Sequence, residues 1–165
     1  MSRPAGALFS LKILNSGKFK EGMAYLKWKR KYSKKLSAFK NIHKGQDCFI
    51  IGNGPSLKDM DLSPLASYHT FGLNKIFLIF EKFDLDLSYL VATNPLVIEQ
   101  SKQVYENDLK FPMFLSYTGA DGVIDDRPNI HRLHTLNTWS FYDDISQPIC
   151  EGNTVTFVAM QIAFF

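Results

Sequence analysis

The residues best suited to chemistry form the run Gly52-Asn53-Gly54-Pro55-Ser56, which follows a short apolar stretch. Gly52 and Gly54 carry no Cβ and tolerate positive φ, so a ligand can approach the backbone closely. Pro55 suits the first turn of a helix, and Ser56 adds a hydroxyl beside the free N–H groups there. A strand, a glycine turn and a helix start in this order predict a site for phosphate oxygens.

This glycine turn departs from the common nucleotide-binding fingerprints. It lacks the Gly-Lys-Ser/Thr of a Walker loop, and it lacks the third glycine of the dinucleotide pattern. We therefore do not expect a generic ATPase or a standard NAD site. A tight structural turn that binds no ligand remains the alternative.

Asparagines follow two further predicted strands, at Asn74 and Asn94, and a second glycine turn occurs at Gly152-Asn153-Thr154. In an open α/β sheet, ligands bind outside the carboxyl ends of the strands. Amides at these ends can hydrogen-bond a base, a ribose or a phosphate, so we expect these residues to share one site. Asparagine is also an ordinary turn residue, and that alternative stays open.

The elements that position these residues indicate an α/β fold. The run Cys48 to Ile51 predicts a buried strand, because both of its faces are apolar. Further strands are predicted within residues 69–74, 85–93, 112–117 and 130–136, with helices over 96–110 and after Thr154. We predict a Rossmann-like, mostly parallel sheet flanked by helices. Because the chain stops within the last apolar helix, we expect it to be C-terminally truncated.

The charge is distributed unevenly along the chain. Residues 1–45 carry a net charge of +11 and the remainder −8, against +3 for the whole chain. We predict a basic arm with a helix over residues 1–44, and an incomplete nucleotide-binding domain over residues 45–165. Residues 1–20 show no clear period and predict a loose leader.

Residues 21–40 predict an amphipathic helix, whose apolar face should pack on the domain. Its lysines suggest peripheral contact of residues 18–44 with an anionic membrane, although simple solvation of the charges is the alternative. Nothing resembles an RNA-binding signature, so we expect no nucleic-acid partner. The residues of the apolar face are Tyr25, Trp28, Tyr32, Leu36 and Phe39.

Metal and disulfide chemistry is not expected. Asp125 and Asp126 form an acidic pair that is more typical of solvated loops than of metal sites. His131 and His134 should lie on opposite sides of a strand, so they should not share a metal. Two cysteines form no disulfide framework, which favours a reduced, cytoplasmic location. No apolar run reaches the roughly 18 residues of a membrane span, and no continuous signal-peptide core is present.

Three motifs carry a family resemblance: FIIGNGPSL at 49–57, FGLN at 71–74 and GNTVTFVAMQIA at 152–163. They resemble the 6-hydroxymethylpterin diphosphokinase MptE-like family, which includes motility accessory factors and proteins of lipopolysaccharide and other surface-polysaccharide synthesis. The first motif is also similar to bacterial sialyltransferases that use CMP-sialic acid. The resemblance spans roughly residues 41–165.

The resemblance implies donor-nucleotide contacts at Asn53 and Asn74, and more loosely at Asn94 through its Asn-Pro pair. The turn before the late helix contacts donor in the sialyltransferases, which implicates Gly152, Asn153 and Thr154, although the Asn-Thr-Val-Thr here replaces a Ser-Gly turn. Family members continue into a strand ending in Gly-x-Asp, and the sialyltransferase histidine follows later. Neither lies in this chain, so the catalytic residues are unknown and the fragment is expected to be inactive.

Three functions remain open on these grounds. The leading one is a nucleotide-sugar-binding, glycosyltransferase-like domain for bacterial surface glycans, which needs no certain cofactor. The second is a pyrophosphokinase, in which the glycine turn would hold ATP and carboxylates would hold Mg²⁺. The third is a non-catalytic nucleotide-binding or scaffold module, located in the cytoplasm or at the inner membrane face.

Overall fold

The computed structural model describes residues 17–80, 82–83 and 85–165. Its centre is a parallel sheet of five strands whose spatial order follows the chain, β1-β2-β3-β4-β5. A second, two-stranded parallel sheet is formed by β6 and β7. The strand β6 follows β5 directly in the chain, with only His134 between them. The predicted α/β class with a parallel sheet is therefore confirmed. The strands are β1 (Cys48–Ile51), β2 (His69–Leu73), β3 (Tyr89–Ala92), β4 (Met113–Ser116), β5 (Ile130–Leu133), β6 (Thr135–Leu136) and β7 (Ile149–Cys150).

Helices and short helical turns connect and flank these strands. The helices are α1 (Gly17–Trp28), α2 (Lys34–Leu36), α3 (Pro95–Gln100), α4 (Lys102–Asn107), α5 (Tyr117–Ala120) and α6 (Val155–Phe164). A π-helical turn, Lys29–Ser33, joins α1 to α2. The 3₁₀ turns are Ser37–Phe39, Pro55–Asp59, Ser63–Ser67 and Ile76–Ile79.

The sheet has two apolar faces, because alternate residues of each strand point to opposite sides. One face packs on the connections between the strands, including α3 and α4. The other face is covered by the N-terminal helical segment and by α6, which contacts β1, β2 and β3. The large buried side chains of the cluster on this second face are Trp28, Tyr32, Phe71, Tyr89, Phe114, Tyr117 and Phe165.

The expectation that β1 is buried on both faces is wrong. Cys48 and Phe49 are exposed, Ile50 is half-buried, and only Ile51 is buried. The reason is position: within the described residues β1 pairs with β2 alone and forms an edge of the sheet. An apolar run is typical of a central strand, whereas β1 has a strand neighbour on one side only in the described part of the chain. The Cys48 thiol therefore meets solvent instead of lying in the core.

The predicted apolar face of the N-terminal helix packs on the domain as expected. Trp28, Tyr32 and Leu36 are buried, and Tyr25 and Phe39 pack against the same cluster. The helix begins at Gly17, earlier than expected, so the predicted loose leader is wrong for residues 17–20. Residues 1–16 lie outside the described part of the chain.

Buried Arg132 fastens the helical arm to the body. Its Nη1 lies 3.4 Å from Asp121 and its Nη2 lies 3.2 Å from Asp126, while Trp28 Nε1 donates to its carbonyl oxygen at 2.7 Å. Lys27 pairs with Asp121 and Lys31 with Asp126. The Lys31 ammonium, as a hydrogen-bond donor, lowers the pKa of Asp126. Asp126 is thus part of a structural ion-pair cluster and is not simply solvated.

Candidate functional site

A polar cavity of about 550 Å³ lies at the carboxyl edge of the sheet. It is formed where β2, β3, β6 and β7 end, which is the edge at which parallel sheets bind ligands. We call it the carboxyl-edge cavity. It brings together four of the predicted site residues. Its lining residues are Asn74, Thr93, Asn94, Pro95, Asn137, Glu151, Asn153, Thr154 and Val155.

Asn74 is held rigidly at the end of β2. Its backbone adopts the left-handed conformation, with φ of 52°, which asparagine tolerates better than most residues. The Asn74 N–H donates to the Val91 carbonyl at 2.9 Å, and its own carbonyl accepts from the Tyr105 hydroxyl at 3.0 Å. Burial raises the pKa of Tyr105 to about 12, so this hydroxyl keeps its proton.

The side chain of Asn74 is less well satisfied than its backbone. Its Oδ1 atom is buried and finds no hydrogen-bond partner among the residues that the structure describes. Buried amide oxygens normally find a donor, because leaving one unpaired costs about 1–3 kcal/mol. Asn74 itself lines the cavity, so this unpaired acceptor belongs to a residue at the site, while the oxygen atom itself is shielded from solvent.

Asn94 has a structural role in addition to the ligand contact that was predicted for it. Its Oδ1 accepts from the N–H groups of Leu96 at 2.9 Å and Val97 at 3.3 Å, which makes it the N-cap of α3. Pro95 follows at the first helical position, as its fixed φ favours. Asn94 Oδ1 is therefore occupied by the helix N–H groups, and only the Nδ2 amide of this side chain is free to contact a ligand.

The second glycine turn supplies the opposite wall. Gly152 and Asn153 are both left-handed, with φ of 57° and 58°. A Cβ on Gly152 would stand 2.5 Å from Cδ1 of Phe157, so only glycine fits at this position. Thr154 Oγ1 accepts from the Thr156 N–H at 3.3 Å and caps α6. The N-terminus of a ten-residue helix thus opens at the cavity, where its dipole favours an anion.

Gln161 fixes this wall from behind. It is fully buried, and its Oε1 accepts from the N–H groups of Tyr142 at 3.1 Å and Cys150 at 3.2 Å. Its Nε2 donates to the carbonyls of Cys150 at 2.7 Å and Phe157 at 3.2 Å. One amide therefore ties β7 to α6 and holds the turn between them. No local pattern marks Gln161, because its bonds to Tyr142 and Cys150 depend on how α6 packs against other elements.

The first glycine turn lies at the same sheet edge but outside the cavity lining. Ile51 is in register with Gly72 of β2, so the chain leaves β1 beside the strand that ends at Asn74. Gly52, Asn53 and Gly54 are exposed, and a Cβ on Gly52 would meet nothing within 4 Å. The backbone here is open to solvent, as predicted.

The expected helix after this turn is a short 3₁₀ turn, Pro55–Asp59. Pro55 does stand in its first turn, and Ser56 is exposed beside it. Gly54 has a φ of −71°, so its freedom to adopt positive φ is not used. A single 3₁₀ turn aligns few peptide dipoles and attracts anions less strongly than α6 does.

Five lining residues were not among the predicted site residues: the apolar Pro95 and Val155, and the polar Thr93, Asn137 and Glu151. Asn137 follows β6 in the same way that Asn74 follows β2, so the pattern of asparagine at a strand end also marks it. Among the described residues, Glu151 is the only carboxylate that lines the cavity. No group of three or more His, Cys, Asp or Glu in the described ranges is placed to hold a metal ion.

This arrangement is suited to binding polar and anionic groups. Amides, hydroxyls and a helix N-terminus surround the cavity, with one carboxylate able to take a proton. The chain matches no family model, no curated protein and no solved structure. Within the described residues, no helix is both long enough and apolar enough to span a membrane.

Proposed function

We propose that the carboxyl-edge cavity binds the nucleotide part of a nucleotide sugar, and that the chain is the donor-binding part of a glycosyltransferase-like domain for surface-glycan synthesis. The observation that carries this proposal is the buried, unpartnered Oδ1 of Asn74. Such an oxygen is satisfied by an N–H or O–H of a ligand. A nucleotide supplies both, on its base and its ribose.

The chemistry of the wall suits the remainder of such a ligand. A phosphate is favoured at the N-terminus of α6, where Thr154 caps the helix. Asn137 and Asn153 line the same space, and in this proposal their amides donate to sugar or phosphate oxygens. A volume of about 550 Å³ lies within the usual range of small-molecule sites. The motifs that resemble nucleotide-sugar transferases support the same ligand class.

The Rossmann-like assignment is part of this proposal and is supported by the position of α6. The strand-to-strand connections cover one face of the sheet, whereas α6 crosses the other face and contacts β1. Helical segments on both faces of a parallel sheet are the arrangement of doubly wound α/β folds, in which ligands bind outside the carboxyl ends of the strands.

Calorimetry tests the proposal by comparing the nucleotide affinity of the wild-type chain with that of Asn74→Gly. The ligands are CMP-, UDP- and GDP-sugars and ATP. Glycine removes the side-chain amide and adopts the left-handed backbone conformation without steric strain, so the fold should be unchanged. We expect one sugar nucleotide to bind and Asn74→Gly to weaken it about tenfold, the value of one hydrogen bond.

The matched control is Asn41→Gly, because Asn41 is also left-handed, with φ of 57°, and does not line the cavity. This variant should bind the nucleotide like the wild type. Equal affinity of Asn74→Gly and the wild type would refute the assignment of the site. Binding of ATP alone, dependent on Mg²⁺, would favour the pyrophosphokinase instead.

A further inference from the structure

The N-terminal helix carries a second apolar stripe, on the side that faces away from the domain. Phe19, Met23 and Leu26 are 42%, 53% and 59% exposed. Their spacing of four and three residues places them on one face, opposite the face on which Trp28 is buried. We call these three residues the outer stripe. It is distinct from the aromatic face, which the domain itself covers.

A helix that is apolar on two opposite sides is unusual at a protein surface. A surface helix normally buries one apolar stripe and presents polar residues on its far side. Here the inner side already reaches the core through Trp28, Tyr32 and Leu36. The outer stripe therefore needs a separate explanation from the folding of the domain.

The charges around the outer stripe are mainly positive. Lys29 and Arg30 line one surface groove together with Met23 and Leu26, and Lys20 is exposed beside Phe19. Asp121 also lines this groove, but its carboxylate is paired with Lys27 and Arg132. Lys27 and Lys31 are neutralised by ion pairs with the domain, but Lys29, Arg30 and Lys20 form no ion pair among the described residues. Glu21 is the sole acidic residue of residues 1–45.

We propose that the outer stripe docks on an anionic lipid surface, with the apolar side chains inserted at the headgroup level and the basic residues against the lipid charges. Apolar anchors flanked by Lys and Arg are the arrangement by which interfacial helices bind anionic bilayers. A second copy of this chain is a poorer occupant, because a symmetric contact would bring Lys29 and Arg30 against their own counterparts. This inference does not depend on the nucleotide site.

Flotation of the full chain with vesicles tests the proposal. We expect binding to phosphatidylcholine vesicles that contain phosphatidylserine, little binding to pure phosphatidylcholine, and weakening as salt screens the charges. Lys29→Gln/Arg30→Gln should weaken binding by about fivefold for each charge removed. Met23→Gln/Leu26→Gln should weaken it about tenfold, through loss of the apolar anchors.

The matched control is Met60→Gln/Leu78→Gln, which removes two exposed apolar side chains elsewhere on the surface, 54% and 70% exposed. It should bind anionic vesicles like the wild type. Three results would overturn the proposal: no binding to anionic vesicles, equal binding to neutral ones, or unchanged binding of the outer-stripe variant. A concentration-dependent dimer that Met23→Gln/Leu26→Gln dissociates would also overturn it, because the stripe would then be a self-interface.

Discussion

Replacement of Gln161 by leucine should destabilise the fold far more than an ordinary helix substitution. The side chain is fully buried and makes four hydrogen bonds to backbone groups of Tyr142, Cys150 and Phe157. Leucine is similar in size but has no polar atoms, so it leaves these groups without their partner. The effect should appear in the free energy of unfolding, and the fold should remain the same.

The magnitude follows from the partners that lose their bonds. Cys150 is fully buried, so its N–H and its carbonyl would both be left unsatisfied, and each costs about 1–3 kcal/mol. Extra apolar burial by leucine offsets part of this cost. We expect a loss of about 2–5 kcal/mol, which for a chain of this length lowers Tm by roughly 4–20 °C.

Urea denaturation followed by circular dichroism measures this loss. The slope of the transition should be unchanged, because the surface exposed on unfolding is the same. Gln103→Leu is the matched control, since Gln103 is an exposed position of α4. It should stay within about 0.5 kcal/mol of the wild type. A loss below about 1 kcal/mol for Gln161→Leu would refute the reasoning, because the buried groups would then have found other partners.

Two further predictions concern backbone geometry and pH. Gly152→Ala should destabilise the chain by about 1–3 kcal/mol, because φ is 57° and the new Cβ would meet Phe157, whereas Gly52→Ala should leave thermal unfolding unchanged. A cost for Gly152→Ala no larger than that for Gly52→Ala would contradict this. Burial, and secondarily Lys35, lowers the pKa of His131 to about 4. In the unfolded chain the His131 imidazole takes up a proton near pH 6.5, whereas in the folded chain it does so only near pH 4. The free energy of unfolding should therefore be highest above pH 6.5 and should fall by at most about 3 kcal/mol as the pH drops towards 4. Urea titrations across this range should show a smaller fall for His131→Leu, and an identical profile would exclude His131 as the cause.

Substitution of Gly52 shows how far a bound nucleotide extends from the carboxyl-edge cavity towards the first glycine turn. Gly52→Ala meets no atom within 4 Å, so it can block a ligand without disturbing the fold. If it weakens nucleotide binding, the ligand extends from the cavity to the end of β1. If it does not, the site is confined to Asn74 and the turn before α6.

Local patterns in the sequence were sufficient for much of this fold and part of the site. Apolar runs predicted the strands, and the apolar segment after Thr154 predicted a helix, because both preferences depend on residues close in the chain. The same is true of Asn74 and Asn153, which lie where turn chemistry places them. The inner face of the N-terminal helix was predicted for the same reason, since helical periodicity is a local property.

Only the tertiary structure decided which of these residues meet and which are buried. Whether β1 is central or at an edge depends on its neighbours in the sheet, so the apolar run that begins at Cys48 wrongly predicted a strand buried on both faces. The side chain of Asn94 caps a helix. The side chain of Gln161 joins α6 to β7 through its bond with the Cys150 N–H. The outer stripe became visible once the packing of Trp28 showed which side of the helix stays in solvent. Burial and long-range pairing are properties of the assembled sheet, and no local pattern encodes them.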